Sequence, residues 1–221
     1  MHRVIRALLF DFDGTLVDTE SICLRAWEET YRRRGVELSF ERWRHGIGTL
    51  DGFDELGHLE ELLGSPVDRA AVDEERAALE RELLSREPLR AGVQEYLDDA
   101  RRRGLAVGIV STSGPNWIRR GLTRLRCADG WACVVSANGD RSRAKPAPTI
   151  YLEALSELGV EPAEAIAIED SPNGVSAARA AGIFCVAVPN SVTARLDLSH
   201  ADLIVDSLAD VPLDELLARV G

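Results

Sequence analysis

The sequence lacks long apolar runs and paired cysteines. No stretch approaches the roughly 18 uncharged apolar residues that a membrane-spanning helix needs. The segment Met1–Phe10 is short for the apolar part of a signal peptide, and Arg6 interrupts it. The four cysteines include no C-x-x-C pair and no nearby histidine at zinc-finger spacing, which argues against a structural metal cluster. We therefore expect a cytoplasmic protein with reduced thiols.

Positive charge is also scarce. The 221 residues contain 26 Lys plus Arg and 37 Asp plus Glu, which gives a formal net charge of −11. This balance argues against a broad nucleic-acid surface and against attraction to anionic lipid, because both are polyanions. We expect no nucleic-acid or membrane partner and favour a small-molecule partner. No feature of the sequence requires more than a monomer.

Lysine is the scarcest charged residue. Lys145 is the only lysine in the sequence, and the other 25 of the 26 Lys plus Arg residues are arginines. A single ammonium in so arginine-rich a sequence suggests a site that needs a compact point charge rather than a planar guanidinium. The alternative is a solvated lysine at the start of a helix. Because Lys145 accompanies the acidic and hydroxyl groups described below, we favour the functional interpretation.

Short apolar runs alternate with amphipathic segments along most of the chain. The predicted strands are residues 4–10, 105–110, 132–135, 165–168, 184–188 and 203–205. The predicted helices are residues 92–103, 115–125, 146–158, 172–181 and 213–220. This alternation predicts an α/β fold with a doubly wound parallel sheet, a Rossmann-like core.

Residues 18–88 depart from the alternation. They contain no convincing strand, but apolar residues recur among the charges at helical spacing. Ten Arg and 18 Asp plus Glu lie between residues 16 and 88, so most of the negative charge lies there. We expect an α-helical cap domain, residues 18–88, inserted into an α/β core domain formed by residues 1–17 and 89–221.

The first predicted strand leads into two carboxylates, Asp11 and Asp13, followed by Gly14. Side chains alternate along an extended chain, so both carboxylates would project to one side while Phe12 points into the core. Two carboxylates this close indicate a divalent metal, an acid/base couple or both. The alternative is an ordinary turn, because Asp and Gly are common loop residues.

Three further segments carry complementary chemistry near predicted strand ends. They are Ser111-Thr112-Ser113, Lys145-Pro146 and Glu169-Asp170. Ligands of open α/β sheets bind at the carboxyl ends of the strands, so these groups are expected to meet the first acidic pair there. For Ser111, a turn or capping hydroxyl is an alternative that is compatible with a binding role.

In this order, these motifs resemble those of the haloacid-dehalogenase-like hydrolase superfamily. The residues that carry the resemblance are Asp11–Thr15, Ser111, Lys145-Pro146 and Glu169–Gly174. The similarity is greatest to the branch with a helical cap, which includes beta-phosphoglucomutase and the phosphoglycolate and sugar-phosphate phosphatases. It implies a phosphoric monoester hydrolase with Mg²⁺ as cofactor and an aspartyl-phosphate intermediate.

The resemblance also implies residue roles. Asp11 would attack phosphorus, and Asp13 would protonate the leaving oxygen and then deprotonate the water. The implied catalytic residues are Asp11, Asp13, Ser111 and Lys145. The implied substrate-binding residues are Ser111, Thr112 and Lys145. The implied metal ligands are Asp11, Asp13 through its main-chain carbonyl, Glu169 and Asp170.

Two departures from the mutase pattern favour a phosphatase. Where the mutases carry a His four residues after the Thr of a D-T motif, this sequence has Cys23. Residues 46–50 also lack the Arg that mutases place after a cap glycine. We expect hydrolysis of a small organic monophosphate, with a sugar phosphomutase and a catalytically silent phosphate-binding module as alternatives. Candidate specificity residues are Arg42, Trp43, Arg44, His45 and Thr49, although an ordinary amphipathic helix with a buried Trp43 is an equal alternative.

Overall fold

A computed structural model describes residues 4–47 and 52–221 and contains one parallel sheet. Its strands are β1 (Ala7–Phe10), β2 (Ala106–Ser111), β3 (Cys133–Ser136), β4 (Ala165–Glu169), β5 (Phe184–Ala187) and β6 (Leu203–Ile204). Their order across the sheet is β3-β2-β1-β4-β5-β6. The predicted α/β fold with a doubly wound sheet is confirmed.

Nine α-helices lie in the described part of the chain. They are α1 (Thr19–Arg32), α2 (Phe40–Trp43), α3 (Glu55–Leu63), α4 (Arg69–Arg86), α5 (Val93–Arg103), α6 (Pro115–Arg124), α7 (Thr149–Leu158), α8 (Pro172–Ala180) and α9 (Leu213–Val220). None of these helices is long and apolar enough to cross a lipid bilayer. Helix α7 begins later than predicted, and Lys145 lies in the turn before it. Pro146 and Pro148 explain the delay, because proline lacks an N–H and disfavours helical geometry in the residue before it.

The sheet is buried on both faces. Leu8 and Phe10 of β1 pack with α5, α6 and α9, whereas Ala7 and Leu9 pack with α7 and α8. This burial explains why the strands appear in the sequence as continuous apolar runs. Each fully buried Leu or Phe side chain stabilises the fold by about 1.5–3 kcal/mol.

The sheet order creates a crevice beside β1. Phe10 pairs with Ile109 of β2 on one side and with Ile168 of β4 on the other, so the three strands end at the same level. The chain proceeds from β1 to β2 and β3 in one direction, whereas β4 to β6 lie in the other. Open α/β sheets bind ligands at such a reversal of strand order.

Helices α1 to α4 fill the segment between β1 and α5. The described residues of 18–88 contain no strand, and a cluster of Trp27, Tyr31, Leu59 and Val72 forms an apolar core among these helices. A second cluster joins Leu24, Trp43 and Ile47 to Val192, which follows β5. The inserted helices therefore pack both on one another and on the loop at the edge of the sheet, while the domain boundaries stay a prediction.

Candidate active site

The four sequence motifs meet at the carboxyl edge of the sheet. Asp11 follows β1, and its backbone N–H donates a hydrogen bond of 2.9 Å to the carbonyl of Ile168 in β4. Ser111 ends β2 and Glu169 ends β4. Lys145 reaches the same place from the turn before α7. The strand register thus brings together groups that are separated by more than 100 residues, as between Asp11 and Lys145.

The ammonium of Lys145 is buried between two carboxylates. Its Nζ contacts Asp11 Oδ1 and lies 2.6 Å from Glu169 Oε1, and only 4% of the lysine side chain is exposed. Burial alone would lower the pKa of Lys145, but the adjacent Asp11 and Glu169 raise it above its ordinary value. The lysine is therefore a fixed positive charge at neutral pH.

Three carboxylates share this pocket. Oxygens of Asp11, Glu169 and Asp170 lie within 4.8 Å of one another. Burial raises the pKa of Asp170 well above its usual range, and the negative charge of Asp11 adds to the effect. Among the described residues, Glu169 Oε2 is buried without a hydrogen-bond partner. An oxygen-only donor set with more negative than positive charge fits a hard divalent cation such as Mg²⁺.

Neighbouring polar groups orient the acidic pair at the end of β4. The Tyr151 hydroxyl donates a hydrogen bond to Glu169 Oε1. Asp170 accepts hydrogen bonds from Thr15 Oγ1 at 3.4 Å and from Asn190 Nδ2 at 2.8 Å. Such partners fix the direction in which a carboxylate presents its remaining oxygen lone pairs.

Gly14 allows the loop after β1 to approach Asp170. Its φ of +78° lies in the left-handed region, and a Cβ atom there would overlap the Asp170 carboxylate. A side chain at position 14 would therefore displace one of the three carboxylates.

Both carboxylate oxygens of Asp13 accept hydrogen bonds. Trp117 Nε1 donates to Oδ1 at 2.7 Å, and Ser113 Oγ donates to Oδ2 at 2.5 Å. Burial and the negative charge of Asp11 raise the pKa of Asp13 to about 6. A carboxyl group with a pKa this close to neutrality can both deliver and remove a proton.

The loop after β2 is tied to the rest of the site. The Ser111 hydroxyl accepts a hydrogen bond of 3.0 Å from the backbone N–H of Ser113, as the turn alternative predicts. Ser111 and Thr112 nonetheless line the same cavity as Asp11. The Thr112 hydroxyl accepts a bond of 3.4 Å from the backbone N–H of Lys145.

A cavity of about 320 Å³ lies between the sheet edge and the inserted helices. From the sheet side it is lined by Asp11, Asp13, Ser111, Thr112, Lys145 and Asp170. From the insertion side, Glu20, Glu55 and Glu80 contribute its charged groups. Burial raises the pKa of Glu20 to about 7, with further contributions from Asp13 and Asp11. Among the described residues, Lys145 is the only basic side chain that lines the cavity.

Comparison with known proteins agrees with this geometry. The sequence pattern of the haloacid dehalogenase-like hydrolases matches residues 5–182. The chain belongs to this family. The predicted membership is therefore confirmed, and with it the prediction of a hydrolase of the haloacid-dehalogenase type.

Relatives of this hydrolase align over nearly its whole length. YhcW of Bacillus subtilis is 36% identical, over 99% of this chain and 99% of that protein. The validoxylamine A 7'-phosphate phosphatase of Streptomyces hygroscopicus subsp. limoneus is 32% identical, over 93% and 95% of the two chains. A crystal structure of a CbbY mutant from Rhodobacter sphaeroides in complex with xylulose-(1,5)bisphosphate has a TM-score of 0.72 and 28% identity, over 96% of this chain and 99% of that one.

The candidate specificity residues of this hydrolase lie in different environments. Trp43 is buried and lines the cavity. Arg42 instead pairs with Glu61 at 2.7 Å. Arg44, His45 and Arg42 are not among the cavity-lining residues, and Thr49 lies outside the described residues. The alternative of a buried tryptophan beside solvated arginines fits the described part of this segment.

Sequence reasoning missed several partners of the site in this hydrolase: Trp117, Tyr151, Asn190 and Glu20. Asn190 could have been predicted from the sequence, because it follows the apolar run of β5 and the carboxyl ends of parallel strands lie at one edge of the sheet. Tyr151 looks like any apolar position of an amphipathic helix. Glu20 looks like a solvated helix residue, and nothing local marks Trp117. These three needed the tertiary structure.

Proposed function

We propose that this hydrolase is a magnesium-dependent phosphatase that transfers the phosphoryl group of a small organic monophosphate to Asp11 and then to water. The observation that carries the proposal is the buried contact of Lys145 with Asp11, beside Glu169 and Asp170. A buried ion pair contributes little net stability compared with apolar packing, because its desolvation offsets the attraction. A catalytic use explains why the only lysine is placed there.

Asp11 would act as the nucleophile. Burial raises the pKa of Asp11, but the charge and hydrogen bond of Lys145 oppose this effect and favour the reactive carboxylate. A bond from a carboxylate oxygen to phosphorus forms as the ester P–O bond breaks, and water later attacks the phosphorus of the aspartyl-phosphate. Two easier displacements replace one difficult one. Lys145, the Ser111 hydroxyl and the Thr112 N–H would bind the phosphoryl oxygens as their charge redistributes.

Asp13 would move the protons. Its acid form gives a proton to the leaving oxygen, and the resulting carboxylate then takes one from the attacking water. The Asp11 and Asp170 carboxylates, with Glu169 and the Asp13 carbonyl, would hold Mg²⁺. The bound ion supplies positive charge beside the nucleophile and the phosphoryl oxygens.

The charge of the cavity favours a monophosphate over a bisphosphate. A second phosphate would face Glu20, Glu55 and Glu80, while Lys145 is already paired. Like charges brought together in a partly desolvated site are unfavourable, and each ~1.4 kcal/mol of repulsion weakens binding about tenfold. Cys23 also lines the cavity, and burial raises the pKa of its thiol, so it stays neutral where mutases carry a histidine.

Hydrolysis of an activated aryl phosphate tests the reaction. We expect wild type to require Mg²⁺, and Asp11→Asn to lower kcat by at least about 1,000-fold. Asp206→Asn, an exposed carboxyl far along the chain, is the matched control and should retain full activity. Turnover in EDTA, or an active Asp11→Asn variant, would contradict the proposal, and a silent module predicts no metal-dependent rate in any variant.

A panel of polyol monophosphates and matched bisphosphates tests the substrate class. We expect kcat/KM for the best monophosphate to exceed that for xylulose-(1,5)bisphosphate by about tenfold or more. A preference for the bisphosphate would contradict the monophosphate assignment. Productive activation by a bisphosphorylated hexose would instead favour the mutase.

We further propose that residues 18–88 form a cap domain and that the protein is monomeric and cytoplasmic.

A further inference from the structure

The indole N–H of Trp117 is oriented by a hydrogen bond to Asp13. The residue lies in the first turn of α6, and 40% of it is exposed. Trp117 lines both the active-site cavity and an apolar cleft of about 260 Å³, which Leu84 and Val17 also line. Its 2.7 Å bond to Asp13 Oδ1 is the contact that fixes its direction.

The two donors on Asp13 differ in chemistry. An indole N–H can only donate, whereas a serine hydroxyl can donate or accept. The N–H that donates to Oδ1 makes that oxygen the poorer site for a proton. The acid proton of Asp13 is therefore favoured on Oδ2, where the Ser113 hydroxyl can donate to the carboxylate or accept from the acid. The hydroxyl of Ser136 in turn donates to the Ser113 carbonyl, which fixes the turn.

The packing of α6 against Phe12 keeps Trp117 in place. Gly121, one turn further along this helix, packs directly on the ring of Phe12, and a Cβ atom there would overlap that ring. Phe12 is the residue between the two aspartates. The backbone that carries Asp13 and the helix that carries Trp117 are thus joined by a close contact.

We propose that Trp117 is a positioning residue that reserves Oδ2 of Asp13 for proton transfer. This inference rests on the proposed function. As the bond between Asp11 and phosphorus forms and the ester P–O bond breaks, the O–H bond at Asp13 Oδ2 breaks and its proton passes to the leaving oxygen. Without the indole donor, the proton can reside on either oxygen and the carboxyl can rotate.

The test compares phenyl phosphate with para-nitrophenyl phosphate, which share a ring but differ in how much the leaving oxygen needs a proton. We expect Trp117→Phe to lower kcat/KM for phenyl phosphate by about 10–100-fold and for para-nitrophenyl phosphate by less than about threefold. Ser113→Ala should act in the same direction, and Ser113→Thr should restore the phenyl phosphate rate. Asp13→Asn serves as the reference for complete loss of the acid.

Trp131→Phe is the matched control, because Trp131 Nε1 donates to the Cys127 carbonyl at 2.7 Å, outside the cavity. It should leave both rates unchanged. Equal losses on the two esters in Trp117→Phe, or no loss on either, would overturn the inference. If wild type hydrolyses neither ester in an Asp11-dependent and Mg²⁺-dependent way, the proposed function fails as well. If Asp13→Asn discriminates between the esters and Trp117→Phe does not, only the role of Trp117 fails.

Discussion

The two walls of the cavity hold their charges in different ways. On the sheet side, Lys145 contacts Asp11 and Glu169 inside the protein, and these partners come from distant parts of the sequence. In the inserted helices, most ion pairs are partly exposed, and many join neighbours on one helix, as in Arg33 with Glu29. Exposed pairs of this kind contribute about 0–1 kcal/mol each. We call the cavity side with Asp11, Lys145 and Asp170 the sheet wall, and the side with Glu20, Glu55 and Glu80 the insertion wall. A change to the buried ion pairs of the sheet wall is therefore expected to cost more stability than a change to an exposed ion pair.

Removal of the buried ammonium should break this contrast most severely. Lys145→Met leaves the Asp11 and Glu169 carboxylates buried without a cation, so we expect the free energy of unfolding to fall by about 3–5 kcal/mol. Urea denaturation in EDTA measures the loss. Arg6→Met is the control, because it removes an exposed pair with Glu164 at 3.2 Å and should cost less than about 1 kcal/mol. Similar losses in the two variants would contradict the distinction between buried and exposed ion pairs.

Magnesium should stabilise the sheet wall. A ligand that binds only the folded state at 100 times its Kd adds about 2.7 kcal/mol to the free energy of unfolding. We expect Mg²⁺ to raise the unfolding temperature of wild type and to have little effect on Asp170→Asn. In EDTA we expect Asp170→Asn to be more stable than wild type, because Asp170 is a buried carboxyl whose pKa is raised by burial and by Asp11. An undiminished Mg²⁺ response in Asp170→Asn would exclude that carboxylate as a ligand.

The residues of the sheet wall were largely predictable from the sequence, because the carboxyl ends of parallel strands bring polar side chains together at one edge of the sheet. The apolar runs set the strands, and the strands carry Asp11, Ser111 and Glu169 to the same level. Lys145 stood out by composition. The helix after it was predicted to begin at Pro146 but begins at Thr149, because the two prolines act against the amphipathic pattern that continues behind them.

The insertion wall was not predictable to the same degree. A helix pattern identifies which side chains share a face but not which cavity that face borders. Glu20 and Glu28 occupy one helix and look alike in the sequence, yet Glu20 lines the cavity and Glu28 is exposed. The hydrogen bond from Trp117 to Asp13 likewise depends on how α6 packs on Phe12. Such facts come from tertiary packing and carry no local signal.

That pair of glutamates gives the finest test of the comparison. The pKa of Glu20 rises from 4.5 to about 7, first because of burial and then because of Asp13 and Asp11. Between these pH values the folded protein retains a proton that the unfolded chain releases. Its stabilising contribution is therefore full below pH 4.5 and is lost as the pH rises through 7.

Glu20→Gln removes the loss of stability that ionisation of the buried Glu20 carboxyl causes at high pH. We expect the variant to exceed wild type in free energy of unfolding by about 1–2 kcal/mol at about pH 8 in EDTA, and to match it near pH 4. Glu28→Gln should change stability by less than about 0.5 kcal/mol at either pH. Chemical denaturation at the two pH values provides the measurement. If both glutamine variants behave alike, the insertion wall is as solvated as the outer helix face, and the cavity charge that disfavours a second phosphate is screened by water.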